Sequence, residues 1–286
     1  MTTDIIGELA FGQSFGGLES GKPHPWLQAV FGAIKTGFLL GEAPTWMLQT
    51  AMLCLPHVIR KQYNKVKLFG TEAVQRRKSM GTGKPDLFSS LLKNQDQGKI
   101  SDDEVRQTAV AMIVGGSETT ATLLSGCLYL LCRNPKHMQK VTEMIRSEFA
   151  SASELTLRNL KGHEFLNAVL QEALRLFPPA PDALFRRTQA PAVVVGQLIP
   201  RGTCLTMNLW AANRTSRNFH RPEDFLPERW LKECPPEFSR DDRAVAKPFS
   251  FGPRDCIGKG CVSSLVCRRS GNVTDSMIGL RGLRCK

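Results

Sequence analysis

The stretch KPFSFGPRDCIGK, residues 247–259, carries the most information about the fold of this chain. It places a single cysteine, Cys256, between Gly252 and Gly258. Because glycine has no Cβ, the backbone on both sides of the cysteine can approach a flat ligand closely. Arg254 lies two residues before the cysteine, where a guanidinium can pair with a carboxylate on the rim of such a ligand. The stretch therefore predicts a loop that holds a flat, acidic ligand next to a sulfur.

The pattern around Cys256 favours metal ligation by its sulfur. We expect the residue near the start of a helix, where backbone N–H groups stabilise a thiolate. A thiolate that is kept dry, with donors aimed at it, is what a soft axial iron ligand requires. Phe249 and Phe251 would shield one side of it. A buried free cysteine in a glycine-rich turn is the alternative, but it leaves the neighbouring glycines and arginine unexplained.

A second pattern lies in the apolar segment 105–132, which a capping box over residues 101–104 introduces. Its centre reads GGSETT, residues 115–120. Two adjacent glycines cost a helix about 1 kcal/mol each relative to alanine. We expect a helical bulge here, a notch lined by Glu118 and Thr119 that could relay protons to a small bound molecule. The alternative is that the glycines only permit close helix packing, with Glu118 at the surface.

A third pattern is an ion pair on one helix face. Glu172 and Arg175 are three residues apart within an apolar helix that a proline pair then stops. Most such pairs are solvated and contribute little. A buried pair needs further hydrogen-bond partners, and Arg229 in PERW, residues 227–230, is a candidate third member.

Composition limits the function classes. The 286 residues are 42% hydrophobic and 22% charged, which is globular, and no apolar run is long enough to span a bilayer. The N-terminal residues are not those of a secretory signal. The net charge is +12, but no aromatic-interleaved basic strand appears, so we expect no nucleic acid partner. Nine cysteines without a CxxC pair indicate reduced thiols and give no support to a structural zinc site.

The periodicity along the chain predicts a mainly α fold with a small β part. Short strands near 193–195 and 203–205 flank a turn at 199–202. Helices are expected at residues 4–15, 58–78, 86–92, 135–150, 163–177 and 208–213.

Taken together, these motifs resemble the cytochrome P-450 family of haem-thiolate monooxygenases. The spacing F-x-x-G-x-R-x-C-x-G over residues 249–258 resembles its haem-binding loop, and residues 115–120 resemble its oxygen-activating helix. Glu172 and Arg175, followed by residues 227–230, resemble its Glu-Arg-Arg triad. The motifs occur in the family's order, and the opening residues 4–12 resemble a helix of fungal members. The resemblance covers residues 4–259.

The resemblance implies a role for each matching residue. Cys256 would be the axial ligand of the haem iron, and Glu118 and Thr119 would deliver protons to the distal oxygen. The triad of Glu172, Arg175 and Arg229 would be structural. The remaining residues would contact the haem, with both arginines at its propionates: Phe249, Gly252, Arg254, Gly258 and Arg186.

The resemblance also implies the cofactor, the partners and the location. The enzyme would use haem b and electrons from NADPH, delivered by a flavoprotein reductase. It would insert one oxygen atom from dioxygen into a small apolar substrate of secondary metabolism. Family members lie on the cytosolic face of the endoplasmic reticulum membrane through an N-terminal anchor. A chain without that anchor could be cytosolic.

Two departures from the family pattern are expected to make the fold incomplete. The family has an anchor, a sheet and several helices before the position of residue 1, and a long helix and a hairpin after residue 259. We therefore expect a partial catalytic domain at 1–259 and a disordered, foreign tail at 260–286. Two alternatives to the monooxygenase stay open: a non-catalytic fragment that does not load haem, and a haem-thiolate isomerase or dehydratase.

Overall fold

The computed structural model describes residues 1–12, 14–22, 56–81, 88–151, 154, 156–160, 162–181 and 186–260. The chain forms two compact units, Met1–Glu118 and Thr119–Lys286. The helices are α1 (Thr2–Phe11), α2 (Gly17–Ser20), α3 (Pro56–Ser79), α4 (Ser89–Asp96), α5 (Asp102–Arg133), α6 (Pro135–Glu148), α7 (Leu157–Leu160), α8 (Glu164–Leu176) and α9 (Leu209–Asn213). The strands are β1 (Arg186–Arg187), β2 (Ala192–Val194), β3 (Gln197–Ile199) and β4 (Cys204–Leu205). Four 3-10 turns follow, at Pro227–Trp230, Pro236–Phe238, Arg243–Val245 and Gly252–Arg254.

The predicted fold class, mainly α with a small β part, is confirmed. The described helices begin and end within a few residues of the predicted ones, and the short helix near 86–92 lies later, at Ser89–Asp96. Almost all of the expected tail, residues 261–286, lies outside the described residues. No helix in the described part of the chain combines the length and the apolar character needed to cross a bilayer.

The first unit is built around one apolar stripe of α5. Val105, Ala109 and Ile113 recur every four residues, which puts them on one helix face, and each is fully buried. Helices α1 and α3 supply the facing residues, and the Phe11 and Phe88 rings lie 5.2 Å apart between centroids. The first unit therefore has its own hydrophobic core.

A buried carboxylate ties α1 to the turn that follows it. Asp4 accepts hydrogen bonds from the backbone amides of Gly17 and Leu18, both at 2.9 Å, and from the Ser14 hydroxyl at 3.1 Å. Burial raises the pKa of Asp4, but these hydrogen bonds and the Met1 ammonium outweigh burial and lower the pKa to about 2. The ionised carboxylate thus takes the place of an N-cap for α2.

The predicted capping box at the start of α5 is confirmed. The Ser101 amide donates to the Glu104 carboxylate at 2.8 Å, and the Glu104 amide donates back to the Ser101 hydroxyl at 3.3 Å. The hydrogen bonds from Ser101 lower the pKa of Glu104. The two residues satisfy backbone donors that the first helical turn leaves without partners.

The bulge expected at Gly115 and Gly116 is absent, because α5 runs as a continuous α-helix through both glycines. A Cβ built on Gly116 would lie 2.7 Å from two side-chain carbons of Ile6 in α1, whereas a Cβ on Gly115 would meet nothing within 4 Å. Close helix packing, the alternative to a bulge, therefore explains Gly116. Close packing does not account for the glycine at position 115, because that residue is exposed.

We expect Gly116→Ala and Gly115→Ala to have opposite effects on the stability of the first unit. The methyl group at position 116 would force Ile6 to move, which typically costs about 1–3 kcal/mol. At position 115 the methyl group enters open space, and better helix propensity should stabilise the unit by about 0.5–1 kcal/mol. Urea unfolding of the two variants measures both effects. Equal effects would contradict the packing role of Gly116.

The second unit has a core that surrounds α8. Nearly every residue of this helix from Phe165 onward is buried, and its partners come from α5, α6 and the segment around Phe225. At Gly126 an added Cβ would lie 2.7 Å from the Phe177 ring. That glycine lets the end of α8 pack closely on α5. The burial of α8 therefore fixes the positions of its two buried charged residues, Glu172 and Arg175.

The β part forms two separate antiparallel pairs. Strand β2 pairs with β3, with Val193 opposite Leu198, and β1 pairs with β4, with Arg186 opposite Leu205. The strands predicted near 193–195 and 203–205 are present as β2 and β4, but the sequence missed β3, which lies between them. The tight turn of the β2–β3 hairpin is at Val195–Gly196, where both residues have positive φ, and residues 200–203 connect β3 to β4.

Candidate functional site

The second unit holds a buried cluster of charges centred on Glu172. Its carboxylate accepts two hydrogen bonds from Arg175, each 2.9 Å long, which is the bidentate geometry of the strongest ion pairs. Both side chains are fully buried. Arg175 directs its other N–H groups to the carbonyl oxygens of Asn213, Pro222 and Asp224, at 2.6, 2.6 and 3.1 Å. Every N–H of this guanidinium therefore has an acceptor.

Arg229 completes the expected trio. Its Nε donates to Glu172 at 3.1 Å, and its side chain is also fully buried. Two further groups donate to the same carboxylate: the Leu226 amide at 2.9 Å and the Trp230 indole N–H at 2.8 Å. One carboxylate thus joins α8 to the turn at Pro227–Trp230. The structure brings together the three charged residues that the sequence singled out.

The Cys256 loop is folded on itself through backbone hydrogen bonds. The Cys256 amide donates to the Phe249 carbonyl at 2.9 Å, and the Asp255 amide donates to the Gly252 carbonyl at 3.0 Å. Gly252 has a φ of +79°, which only glycine adopts at low cost, and Ser250 has a φ of +60° despite its side chain. Phe249 is half-buried and packs against the core around α8. The core therefore anchors one end of the loop.

The expectation that the sulfur is sheltered is not met in the structure. Cys256 is exposed, Phe251 is 71% exposed and Ile257 is fully exposed. Phe249 turns to the core, so it does not form a shield together with Phe251. A Cβ on Gly252 would meet nothing within 4 Å, and one on Gly258 would meet only the Cys256 sulfur, at 3.7 Å. The loop therefore leaves the sulfur exposed, together with the apolar side chains of Phe251 and Ile257.

Of the two arginines predicted to contact an acidic ligand, Arg186 lies far before the loop in the sequence and Arg254 lies within it. Arg186 begins β1, and its guanidinium lies 3.5 Å from the Ser250 hydroxyl. Arg254 ends the 3-10 turn before the cysteine, and both arginines are exposed. Only Arg186 therefore has a described side-chain contact with the loop.

Glu118 and Thr119 lie in the regular part of α5. Glu118 is exposed and Thr119 is half-buried, while Thr120 is buried. The Thr120 hydroxyl finds no hydrogen-bond partner in the described part of the chain. The Glu118 carboxylate is therefore at the surface of the helix and does not line a notch.

Sequence reasoning missed one member of the charge cluster. Asp241 pairs with the Arg229 guanidinium, and its side chain is only 1% exposed. Its distance of twelve residues from Arg229 matches no helical or strand period, so spacing could not have found it.

Among the described residues, no group of three or more His, Cys, Asp or Glu side chains is placed to hold a metal ion.

Comparisons with known proteins give the same family as the motifs. The cytochrome P450 family matches residues 1–261. An averantin hydroxylase of Aspergillus parasiticus is 41% identical over 263 residues, which are 90% of this chain and 53% of that protein. An averantin hydroxylase of Dothistroma septosporum is 39% identical over 90% of this chain and 49% of its own length. The cytochrome P450 monooxygenase stcF of Emericella nidulans is 38% identical over 90% of this chain and 54% of its own length.

The chain spans about half the length of these curated relatives. Within that half, the match includes the helix with GGSETT, the Glu172 cluster and the Cys256 loop. The chain belongs to the cytochrome P450 family.

Proposed function

We propose that this protein is a haem-thiolate monooxygenase of fungal secondary metabolism. It would insert one oxygen atom from dioxygen into a small apolar organic substrate. The observation that carries this proposal is the Cys256 loop, which is anchored by Phe249 and has an exposed sulfur. The names of the relatives, which include hydroxylases and monooxygenases, support the same reaction class.

The residues of the loop fit haem b. A porphyrin is flat and apolar with two carboxylates at one edge, and Phe251 and Ile257 offer exposed apolar surface in the same loop as the sulfur. The open space at Gly252 leaves room for a ring against the backbone. Such a ligand would bury surface that costs free energy to leave in water.

The bound haem iron would supply the activation of dioxygen. Cys256 would hold the metal as a thiolate, whose charge favours cleavage of the O–O bond. Arg254 and Arg186 would fix the orientation of the ring through its propionates, and the contact of Arg186 with Ser250 supports this role. Glu118, exposed on α5, and the half-buried Thr119 next to it would hold protons for this chemistry.

The partners follow from the reaction. Electrons would come from NADPH through a flavoprotein reductase, and the net charge of +12 suits docking of an acidic protein. We propose the cytosolic face of the endoplasmic reticulum membrane as the location, on the basis of the family alone.

Replacing the proposed iron ligand tests this function. We expect Cys256→Ser to abolish the thiolate-type Soret band of the reduced, carbon monoxide-bound protein, because a hydroxyl is a poor ligand for the ferrous iron. Cys204→Ser is the matched control, since Cys204 is also exposed and lies in β4 of the same unit. The absorption spectrum after reconstitution with haem measures both.

Three outcomes would contradict the proposal. A thiolate-type band that survives in Cys256→Ser would show that the sulfur is not the ligand. A wild-type protein that shows no haem band would favour the non-catalytic alternative. A thiolate band without oxygen-dependent product formation would favour an isomerase or dehydratase.

A further inference from the structure

The buried charge cluster is neutral only when Asp241 is counted. Arg175 and Arg229 carry two positive charges, and Glu172 supplies one negative charge. All three side chains are fully buried, so a net charge of +1 would be strongly unfavourable there. The Asp241 carboxylate brings the cluster to zero.

Asp241 also joins two backbone segments. One carboxylate oxygen pairs with the Arg229 guanidinium, and the other accepts a hydrogen bond from the His220 amide at 2.6 Å. Arg229 in turn donates to the His220 carbonyl at 3.0 Å. Around this exchange lie the Phe219 and Phe238 rings, with the Arg229 guanidinium 5.7 and 4.8 Å from their centroids. These contacts hold the Asp241 carboxylate in place between Arg229 and the His220 backbone.

The Cys256 loop begins at Lys247, a short distance along the chain from Asp241, with the 3-10 turn Arg243–Val245 between them. Asp242 donates its amide to the Asn218 carbonyl at 2.7 Å, and the 3-10 turn Arg243–Val245 follows. The chain then reaches Phe249, whose carbonyl accepts the Cys256 amide. Asp241 therefore fixes the N-terminal side of the segment that carries the sulfur, while Phe249 fixes its middle.

We propose that Asp241 is the fourth member of the buried charge cluster and a positioning residue for the Cys256 loop. Its effect on iron ligation rests on the proposed function, but its effect on the order of the loop does not. Asp241 contributes by holding Arg229 and the His220 backbone, and it does not itself touch the loop's sulfur.

The test compares Asp241→Asn with Asp242→Asn by amide hydrogen exchange of the haem-free protein. The two aspartates are neighbours, but Asp242 is exposed and accepts only the Ala244 amide, at 3.1 Å. We expect amides of residues 247–258, including that of Cys256, to exchange about tenfold faster or more in Asp241→Asn. The increase in the exchange rate of the loop amides must exceed that of the α8 amides, because the α8 amides report global unfolding. Equal loop exchange in the two variants would overturn the proposal.

A second variant tests whether the negative charge at position 241 is what orders the loop. Asp241→Glu keeps the negative charge, so its loop exchange should lie close to that of the wild type. It should also fold where Asp241→Asn does not. Loop exchange in Asp241→Glu as fast as in Asp241→Asn would overturn the positioning role. Failure of both Asp241 variants to fold would also overturn it, if Asp242→Asn folds and Arg229→Met shows wild-type exchange of the loop amides.

A spectroscopic readout connects the loop to haem ligation. In haem-loaded protein, Asp241→Asn should convert a larger fraction of the carbon monoxide complex to the form without thiolate ligation than Asp242→Asn does. A wild type without haem would count against the proposed function and leave the exchange test in force. A wild type with haem, together with identical spectra in both variants, would count against Asp241 alone.

Discussion

Glu172→Gln should lower the free energy of unfolding of the second unit by about 3–5 kcal/mol, the usual cost of removing one partner from a buried ion pair. The carboxylate accepts five hydrogen bonds, from Arg175, Arg229, Leu226 and Trp230. An amide has one oxygen and one NH₂ group, so several of these donors would lose their acceptor. The cluster would also gain a net positive charge in a fully buried site.

Glu223→Gln is the control for this prediction. Glu223 pairs with Arg214 at 3.1 Å, but its side chain is 67% exposed, so the pair is a surface salt bridge. We expect a change within about 1 kcal/mol. Chemical denaturation followed by the fluorescence of Trp230, which donates to Glu172, measures both variants. A loss for Glu172→Gln no larger than that for Glu223→Gln would show that the cluster does not hold the unit together.

The charge cluster shows what spacing in a sequence can and cannot predict. Glu172 and Arg175 share a helix face because they are three residues apart, and that follows from helix geometry alone. Arg229 entered as a third member because of its motif, PERW. Asp241 lies in an irregular segment, where no period relates one residue to the next. Its position depends on the 3-10 turns and on the His220 backbone, which only tertiary structure defines.

The glycine pair of α5 is a case in which a sequence-based prediction was wrong. Helix propensity predicted a defect at residues 115–116, because two glycines weaken a helix. The helix is nevertheless continuous, because the missing side chain at Gly116 lets Ile6 of α1 pack closely against the backbone of α5. Capping at Ser101 and Glu104 was predictable because both partners lie within four residues. A local signal was therefore reliable when all of its partners were nearby in the sequence, and it failed where a distant contact determined the outcome.

The exposure of Cys256 follows the same division. The glycines predicted a loop that a flat ligand can approach closely around a sheltered sulfur, and Gly252 has a positive φ that glycine adopts at low cost. Which side chains would shelter the sulfur depended on the direction of Phe249, and this ring packs on the core around α8. The same contact that removes a shield gives the loop its anchor.

The second large effect concerns catalysis and rests on the proposed function. In the haem-loaded enzyme, Thr119→Val should lower product formation by about 10²-fold or more, because a lost proton-transfer group typically costs that much. Consumption of NADPH should continue, so the ratio of product formed to NADPH consumed should fall steeply. The substitution keeps the size and β-branching of the side chain and removes only the hydroxyl, so α5 should remain intact.

Thr120→Val is the matched control, because it makes the same change at the next residue. The Thr120 hydroxyl is buried without a partner in the described part of the chain, so its removal should leave stability unchanged or raise it. The ratio of product to NADPH should stay at the wild-type value. Equal losses in the two variants would indicate damage to the helix, whereas full coupling in Thr119→Val would exclude proton delivery by that hydroxyl. A loss confined to Thr119→Val would assign proton delivery to the half-buried hydroxyl next to Glu118.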